Sequence, residues 1–276
     1  MPKWLFRFTI TGLSVLLFSC SKSESILLGT TTTLQDSGLL AVLVGVFNQQ
    51  HAVKIKPIVA GSGHIFTLIE RGDVDIAITH EPIGEQSLVD RQIVTERTPI
   101  MYNYFLIVGP KDDPARVHLS SSANKAFANI YESNSIFVSR YDNSGTHYVE
   151  KRLWNAANRQ PTGNHYIRTG VGMGATLTIA AERNAYTLVD LGTWLAFQNK
   201  QSLRVLFQET RHLSQQQAQQ HLLTNQYSLL TMTPNSSNQH HQKQAAVFAQ
   251  WIRQPKTQQL INNYHLYQQT IFITNQ

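Results

Sequence analysis

Three short segments carry residue types that could hold an anion. Thr30-Thr31-Thr32-Thr33 sets four hydroxyls in a row ahead of an apolar helical pattern. Gly61-Ser62-Gly63 joins a strand pattern to a helical one, and its glycines would let backbone amides approach a ligand closely. Ser139-Arg140 precedes Ser144-Gly145-Thr146, so a permanently charged guanidinium with a planar fork of donors leads into small hydroxylated residues at a helix start. Each segment lies where a strand pattern ends and a helix begins. The first turn of a helix leaves its N–H groups unpaired and presents the positive end of its dipole, which favours anions. Blander readings stay open for the same residues. Threonine is also a strand former and an N-cap, Gly-Ser-Gly is also a plain turn, and Arg140 could pair with Asp142 in a solvated loop.

A fourth segment, Gly170-Val171-Gly172-Met173-Gly174 with Thr176, superficially looks like a dinucleotide fingerprint but lacks the Gly-x-Gly-x-x-Gly spacing. Close backbone approach to a small ligand at Gly174, with Thr176 as a donor, fits it better. Catalytic chemistry finds little support. The eleven histidines show no metal-ligand spacing, and His64, His80 and His147 are expected to be satisfied locally. Ser144 and His147 could be imagined as a nucleophile pair, but both fall on one helix start with no acidic residue to orient them. No Gly-x-Ser-x-Gly elbow is present. The reading is a binding protein rather than an enzyme, with no cofactor and no cation held by protein ligands.

The elements that must position these segments alternate. Strand patterns at Ile26–Gly29, Val53–Val59, Val74–Thr79 and Asn103–Gly109 are interleaved with helical ones at Leu39–Asn48 and Ile65–Arg71. The pattern then restarts, with helices at Ala123–Glu132, Tyr148–Asn158 and Ala175–Asn184 between strands at Ile136–Ser139, Ala185–Val189 and Leu203–Phe207. Alternation of this kind predicts an α/β protein with a parallel sheet, whose ligands bind outside the carboxyl ends of the strands. The order predicts two α/β units, the second inserted into the first, with crossings near Val108–Asp112 and His221–Tyr227.

The 276 residues suffice for two lobes with real cores, and 42% hydrophobic against 14% charged residues excludes disorder. Residues 1–20 read as a secretory signal: Lys3 and Arg7 precede the apolar stretch Phe8–Phe18, which is too short for a permanent span. Leu17-Phe18-Ser19-Cys20 resembles a lipobox, so Cys20, the only cysteine, is expected to carry a lipid; an ordinary signal cleaved nearby is the other reading. Residues 21–25 form a polar linker. Beyond residue 20 the chain holds 21 basic and 17 acidic side chains, a net of +4, with no block of five like charges. That mild balance suits an anionic ligand and argues against a nucleic-acid partner.

With these residues in view, the chain resembles the tungstate-binding protein family of ABC transporters. The resemblance rests on Thr30–Thr33 with Asp36-Ser37-Gly38-Leu39-Leu40, Gly61-Ser62-Gly63, Gly72-Asp73-Val74-Asp75, Met101-Tyr102-Asn103 through Ile107-Val108-Gly109-Pro110, Ser139-Arg140 with Ser144-Gly145-Thr146-His147, Gly172-Met173-Gly174-Ala175-Thr176-Leu177 and Ala185-Tyr186-Thr187-Leu188. It runs from about Leu28 to Trp251. Thr33 stands where the family's motif has Ser, and Asn225-Gln226-Tyr227 stands where it has Asn-Pro-Tyr. The resemblance implies a two-lobed periplasmic-binding-protein-like fold of type II with hinge crossings. One lobe would comprise residues 26–109 and 225–276, and the other residues 110–224. It further implies an oxyanion held by the threonine motif and Arg140, an ABC permease partner in the cytoplasmic membrane, and a monomer at an extracytoplasmic face.

The expected ligand set is Thr31, Thr32, Thr33, Ser62, Arg140, Ser144, Gly145, Thr146, Gly174 and Thr176. Tungstate is a dianion with four acceptor oxygens and no proton at neutral pH, so a site made only of donors suits it. Phosphate carries a proton and needs an acceptor. The Arg-x-Asp-x-Ser-Gly-Thr pattern is also similar to phosphate-binding proteins, with Asp142 as that acceptor, so phosphate is the alternative ligand. An anion-binding phosphohydrolase is the alternative of a different class.

Overall fold

The computed structural model describes residues 25–200, 202–208, 221–234 and 239–275. The leader, Cys20 and most of the 21–25 linker therefore lie outside the described residues. The elements that position the site are β1 (Ser25–Thr31), α1 (Thr32–Asp36), α2 (Leu39–Gln50), β2 (Lys54–Ala60), α3 (Ser62–Arg71), β3 (Ile76–Thr79), α4 (Pro82–Asp90), β4 (Val94–Pro110), α5 (Ala123–Glu132), β5 (Phe137–Ser139), α6 (Gly145–Ala156), β6 (Tyr166–Arg168), α7 (Met173–Glu182), β7 (Thr187–Asp190), α8 (Leu191–Ala196), β8 (Leu203–Phe207) and β9 (Thr224–Met232). Helices Gln239–Ile252 and Pro255–Asn262 and the short strand Ile273–Thr274 close the chain.

The first sheet is mixed rather than parallel. β1 pairs in parallel with β2 and β3, but β9 runs antiparallel to β3 and β4, and Ile273–Thr274 pairs antiparallel with β4. The departure has a topological cause. β4 leaves this sheet for the second lobe and β9 returns from it, so the two strands run opposite ways. β4 is long enough to serve both sheets. Val94–Tyr104 pairs with β9, whereas Phe105–Pro110 pairs with β7 and β8. The chain comes back at Leu223, whose carbonyl accepts from the Phe105 amide at 2.7 Å. β5, β6 and β7 complete the second lobe, with β5 parallel to β6 and bridged to Tyr186.

Each lobe has its own core. In the first, α2 turns Leu39, Leu40, Leu43 and Phe47 inward, a spacing that keeps them on one helical face, and they pack with Ile26, Ile78, Phe248 and Trp251. In the second, Phe105, Phe127, Phe137, Trp154 and Tyr186 cluster, with Phe127 and Trp154 rings 4.5 Å apart and edge-on.

Candidate functional site

Three strand-to-helix turns face the junction between the lobes. β1 runs straight into α1, whose N-cap Thr31 accepts the Leu34 amide on Oγ1 at 3.4 Å. Thr32 and Thr33 follow in the first turn, and their hydroxyls are buried with no hydrogen-bond partner among the described residues. Thr30 is spent on structure, donating to the Ile78 carbonyl at 3.0 Å. α3 opens at Ser62, whose hydroxyl is buried and likewise unpartnered. In the second lobe, Ser144 caps α6 by accepting the His147 amide at 3.3 Å, and Thr146 presents a third buried, unpartnered threonine hydroxyl. Leaving a buried hydroxyl unbonded costs about 1–3 kcal/mol each, so several at neighbouring strand ends indicate a polar guest rather than a packing accident.

Arg140 sits at the end of β5 and is 2% exposed. Its Nε and Nη2 donate to Asp142 Oδ2 at 3.1 and 2.5 Å, while Nη1 is buried without a partner. The pairing with Asp142 is present, but the guanidinium is buried while Tyr141 and Asn143 of the same loop are exposed. The loop is held in strained backbone: Tyr141 and Asn143, on either side of Asp142, have φ of +46° and +55°. Bulky residues enter that region only where surroundings impose it. Here the Tyr141 amide donates to Ser139 Oγ at 3.2 Å, and Arg168 lies 4.5 Å over the Tyr141 ring. Ser139 Oγ in turn donates to Glu150 Oε2 at 2.7 Å. Glu150 is 1% exposed and also accepts from Trp154 and Tyr166. Burial pushes its carboxyl up to about 7, against the pull of those three donors.

The two lobes meet across these segments. A Cβ on Gly145, the first residue of α6, would lie 2.4 Å from the His80 carbonyl oxygen at the end of β3. Cβ atoms on Gly61 and Gly63 would stand 3.8 Å from Asp142 Oδ2 and 3.7 Å from the Asn143 carbonyl oxygen. The charge on Arg140 reaches Asp36 at the end of α1, His80 and Asp190. Burial raises both carboxyls, and the guanidinium opposes that rise.

The other expected residues are placed differently. Thr31 and Ser144 act first as caps, accepting on the hydroxyl oxygen and leaving its proton to donate. Gly174 lines a cavity of about 280 Å³ with Asp36, Thr193, Ala196, Phe197 and Gln198, between the end of α1, the start of α7 and the end of α8. Thr176 turns its hydroxyl back onto the Gly172 carbonyl at 3.0 Å, a bond within its own helix that takes it out of the donor set.

One residue at the site was not distinguished in the sequence. His80 follows β3 and is 3% exposed; its Nδ1 lies 2.7 Å from Asn225 Oδ1, and its ring stacks on Tyr227. Nδ1 is satisfied locally, as expected, but Nε2 is buried and unpartnered. Burial, then Arg140, brings its pKa down to about 4. His147, behind the Arg140 loop, is also brought down to about 4, first by burial and then by Lys151. Among the described residues no group of three or more His, Cys, Asp or Glu is placed to hold a metal ion. The buried hydroxyls and guanidinium nitrogen left without partners among the described residues are all donors, the chemistry that suits an oxyanion.

The PBP superfamily domain profile matches residues 20–256. The tungstate-binding protein TupA of Peptoclostridium acidaminophilum is 33% identical over 242 residues, covering 87% of this chain and 81% of that protein. A putative ABC transporter anion-binding protein of Haloferax volcanii is 33% identical over 253 residues, covering 92% and 72%. Among solved structures, the tungstate ABC transporter from Geobacter sulfurreducens superposes with a TM-score of 0.75 at 35% identity, covering 87% of this chain and 99% of that one.

Proposed function

The chain belongs to the PBP superfamily and, within it, to the tungstate-binding proteins of ABC transporters, and on that footing we propose that it captures tungstate, or the near-isosteric molybdate, between its lobes. The observation that carries this reading is the set of buried donors without protein partners, contributed by both lobes: the hydroxyls of Thr32, Thr33 and Ser62 from one, Arg140 Nη1 and the Thr146 hydroxyl from the other. Thr31, Ser144 and the amide of Gly145 complete the cradle. Closing the lobes brings α1 and α3 of one to α6 of the other, so binding and closure are one event. We place the lobe division where strand pairing changes partner, between Tyr104 and Phe105 and near Leu223, close to the 109 and 224 read from the sequence.

Asp142 supports tungstate over phosphate. Its Oδ2 accepts twice from Arg140 and its Oδ1 accepts the Ser144 amide at 3.1 Å, so it is engaged inside its own loop rather than offered to a protonated guest. The protein acts without catalysis, as a monomer, and hands its anion to an ABC permease in the cytoplasmic membrane. It works at an extracytoplasmic face, tethered by lipid on Cys20; among the described residues no helix is long and apolar enough to cross a membrane.

A thermal-shift panel of tungstate, molybdate, sulfate and phosphate tests the assignment. Ligand at 100 times its Kd adds about 2.7 kcal/mol to stability, which for a chain of this size raises Tm by roughly 5–10 °C. Tungstate and molybdate should produce that rise and phosphate should not. A rise with phosphate alone, or turnover of a phosphate ester, would overturn the reading.

A further inference from the structure

Besides these donors, the buried acceptors without a partner among the described residues include Asp190 Oδ2 and His80 Nε2, and a directional chain of hydrogen bonds links the two residues. Asp190 Oδ1 accepts the Thr193 amide at 3.0 Å and the Asn103 side-chain amide at 3.4 Å. Asn103 Nδ2 being the donor, its Oδ1 faces Asn225 and accepts from Asn225 Nδ2 at 2.8 Å. Asn225 then turns Oδ1 to His80, so His80 Nδ1 carries the hydrogen and donates it. The chain starts on β7 in one lobe, crosses β4 and β9, and ends at β3 in the other. It leaves His80 Nε2 as a bare lone pair, buried and without a partner among the described residues, while the Nδ1–Cε1 edge of the ring lies against Gly145 at the start of α6.

A dianion in this cradle meets one guanidinium whose charge Asp142 already shares. Two further carboxyls, Asp36 and Asp190, lie within reach of the same field. The buried charge is therefore uncompensated unless a proton is added. Resting on the oxyanion reading, we propose that His80 takes a proton from the buffer onto Nε2 when the dianion enters, so that an imidazolium N–H joins the donors on the ligand. Nδ1–H keeps its bond to Asn225 throughout, and the buffer acid is left as its conjugate base.

His147 cannot serve the same way. Its Nδ1 accepts the Asn143 amide at 3.1 Å, so its hydrogen is already on Nε2, and a second proton would break the loop's own bond. In the free protein burial, then Arg140, lowers the His80 pKa to about 4, against the opposing pull of Asn225 and Asp142.

Calorimetry with tungstate between pH 6 and 7.5, in two buffers of unlike ionisation enthalpy and neither an oxyanion, counts the protons taken up. We expect close to one, with Kd weakening about tenfold per pH unit, and both the uptake and the slope lost in His80→Gln. Nitrogen-15 spectra of the wild-type imidazoles provide a reading that needs no variant: Nε2 of His80 should be bare in the free protein and protonated with tungstate bound. Tight binding with no proton uptake, uptake unchanged in His80→Gln, or Nε2 still bare in the complex overturns the inference and leaves the oxyanion reading standing. No binding heat at all removes both.

Discussion

Arg140 and Asp142 form an ion pair within one loop, 2.5 Å apart, with the arginine all but excluded from solvent and one of its nitrogens left over. The carboxylate fixes the fork in place and Nη1 points to no protein acceptor. Arg140→Ala should therefore weaken tungstate binding by at least about a hundredfold, because it leaves the half-buried Asp142 carboxylate without its counter-charge beside a dianion. Arg140→Lys retains the charge and loses the fork, and should fall between. Calorimetric titration of both variants checks the order; equal affinity in wild type and Arg140→Ala would remove arginine from the site.

Gly145 is a contact through which closure can be blocked while its own amide, a proposed donor, is retained. A methyl group there would sit 2.4 Å from the His80 carbonyl oxygen in the opposite lobe. Gly145→Ala should leave the fold of each lobe intact and keep the lobes apart. Expected is a normal circular dichroism spectrum, a ligand-induced Tm rise reduced to a small fraction of wild type, and no compaction on adding tungstate in small-angle scattering. Compaction like that of the wild type would show that the lobes do not close on this contact.

Removing an orphan hydroxyl should move stability and affinity in opposite directions. Thr33→Val keeps the shape and deletes a buried donor that has no protein partner. The free protein should gain up to about 1 kcal/mol, since an unsatisfied group is gone. The complex should lose roughly 1.5–3 kcal/mol, about ten- to a hundredfold in affinity, for one hydrogen bond to a charged ligand. Paired denaturation and titration curves decide it; a variant less stable than wild type and equally good at binding would assign Thr33 to packing alone.

Glu150 gives the free protein a pH signature of definite sign. Its pKa rises from 4.5 to about 7 on folding, so between those values the native state holds a proton that the unfolded chain has lost. Its contribution to stability is therefore full below about pH 4.5 and fades as pH rises through 7, by an amount of order 3 kcal/mol. His80 and His147 act oppositely. Lowered from 6.5 to about 4, they contribute stability above pH 6.5 and lose it as pH falls toward 4. Subtracting the stability curve of Glu150→Gln from that of the wild type should isolate the first effect as a difference that declines from pH 4.5 to 7. A flat difference across that window would mean that Glu150 is ionised throughout.

Legibility followed locality. The strand–helix alternation, the α5 and β8 boundaries and the three anion-suited turns could be read from short windows because apolar period and small polar residues are local signals. α1 escaped notice because five residues beginning Thr32-Thr33 carry strand-forming side chains and no helical period. The first half of β4 was missed for a different reason. Thr95, Glu96 and Arg97 carry no apolar strand pattern, yet they form a strand whose partner, β9, comes from more than a hundred residues away. The antiparallel pairing was hidden by the same distance. In the proposed site, Ser62, Arg140 and Thr146 are legible by type and position, and each carries a buried donor atom without a partner among the described residues. Thr176 misled, because a hydroxyl inside a helix can turn onto its own carbonyl four residues back. His80 was out of reach of sequence, since what orients it is Asn225, 145 residues on.

The location of the bound metal oxyanion bears most directly on the whole account. Crystals grown with tungstate and measured at a wavelength where tungsten scatters anomalously give the position of one heavy atom without reference to any assumed contact. The account predicts a single strong peak between the lobes, its oxygens within hydrogen-bond reach of Thr33, Ser62, Arg140 and Thr146. A peak elsewhere on the molecule, or none at saturating tungstate with the lobes closed, would contradict it.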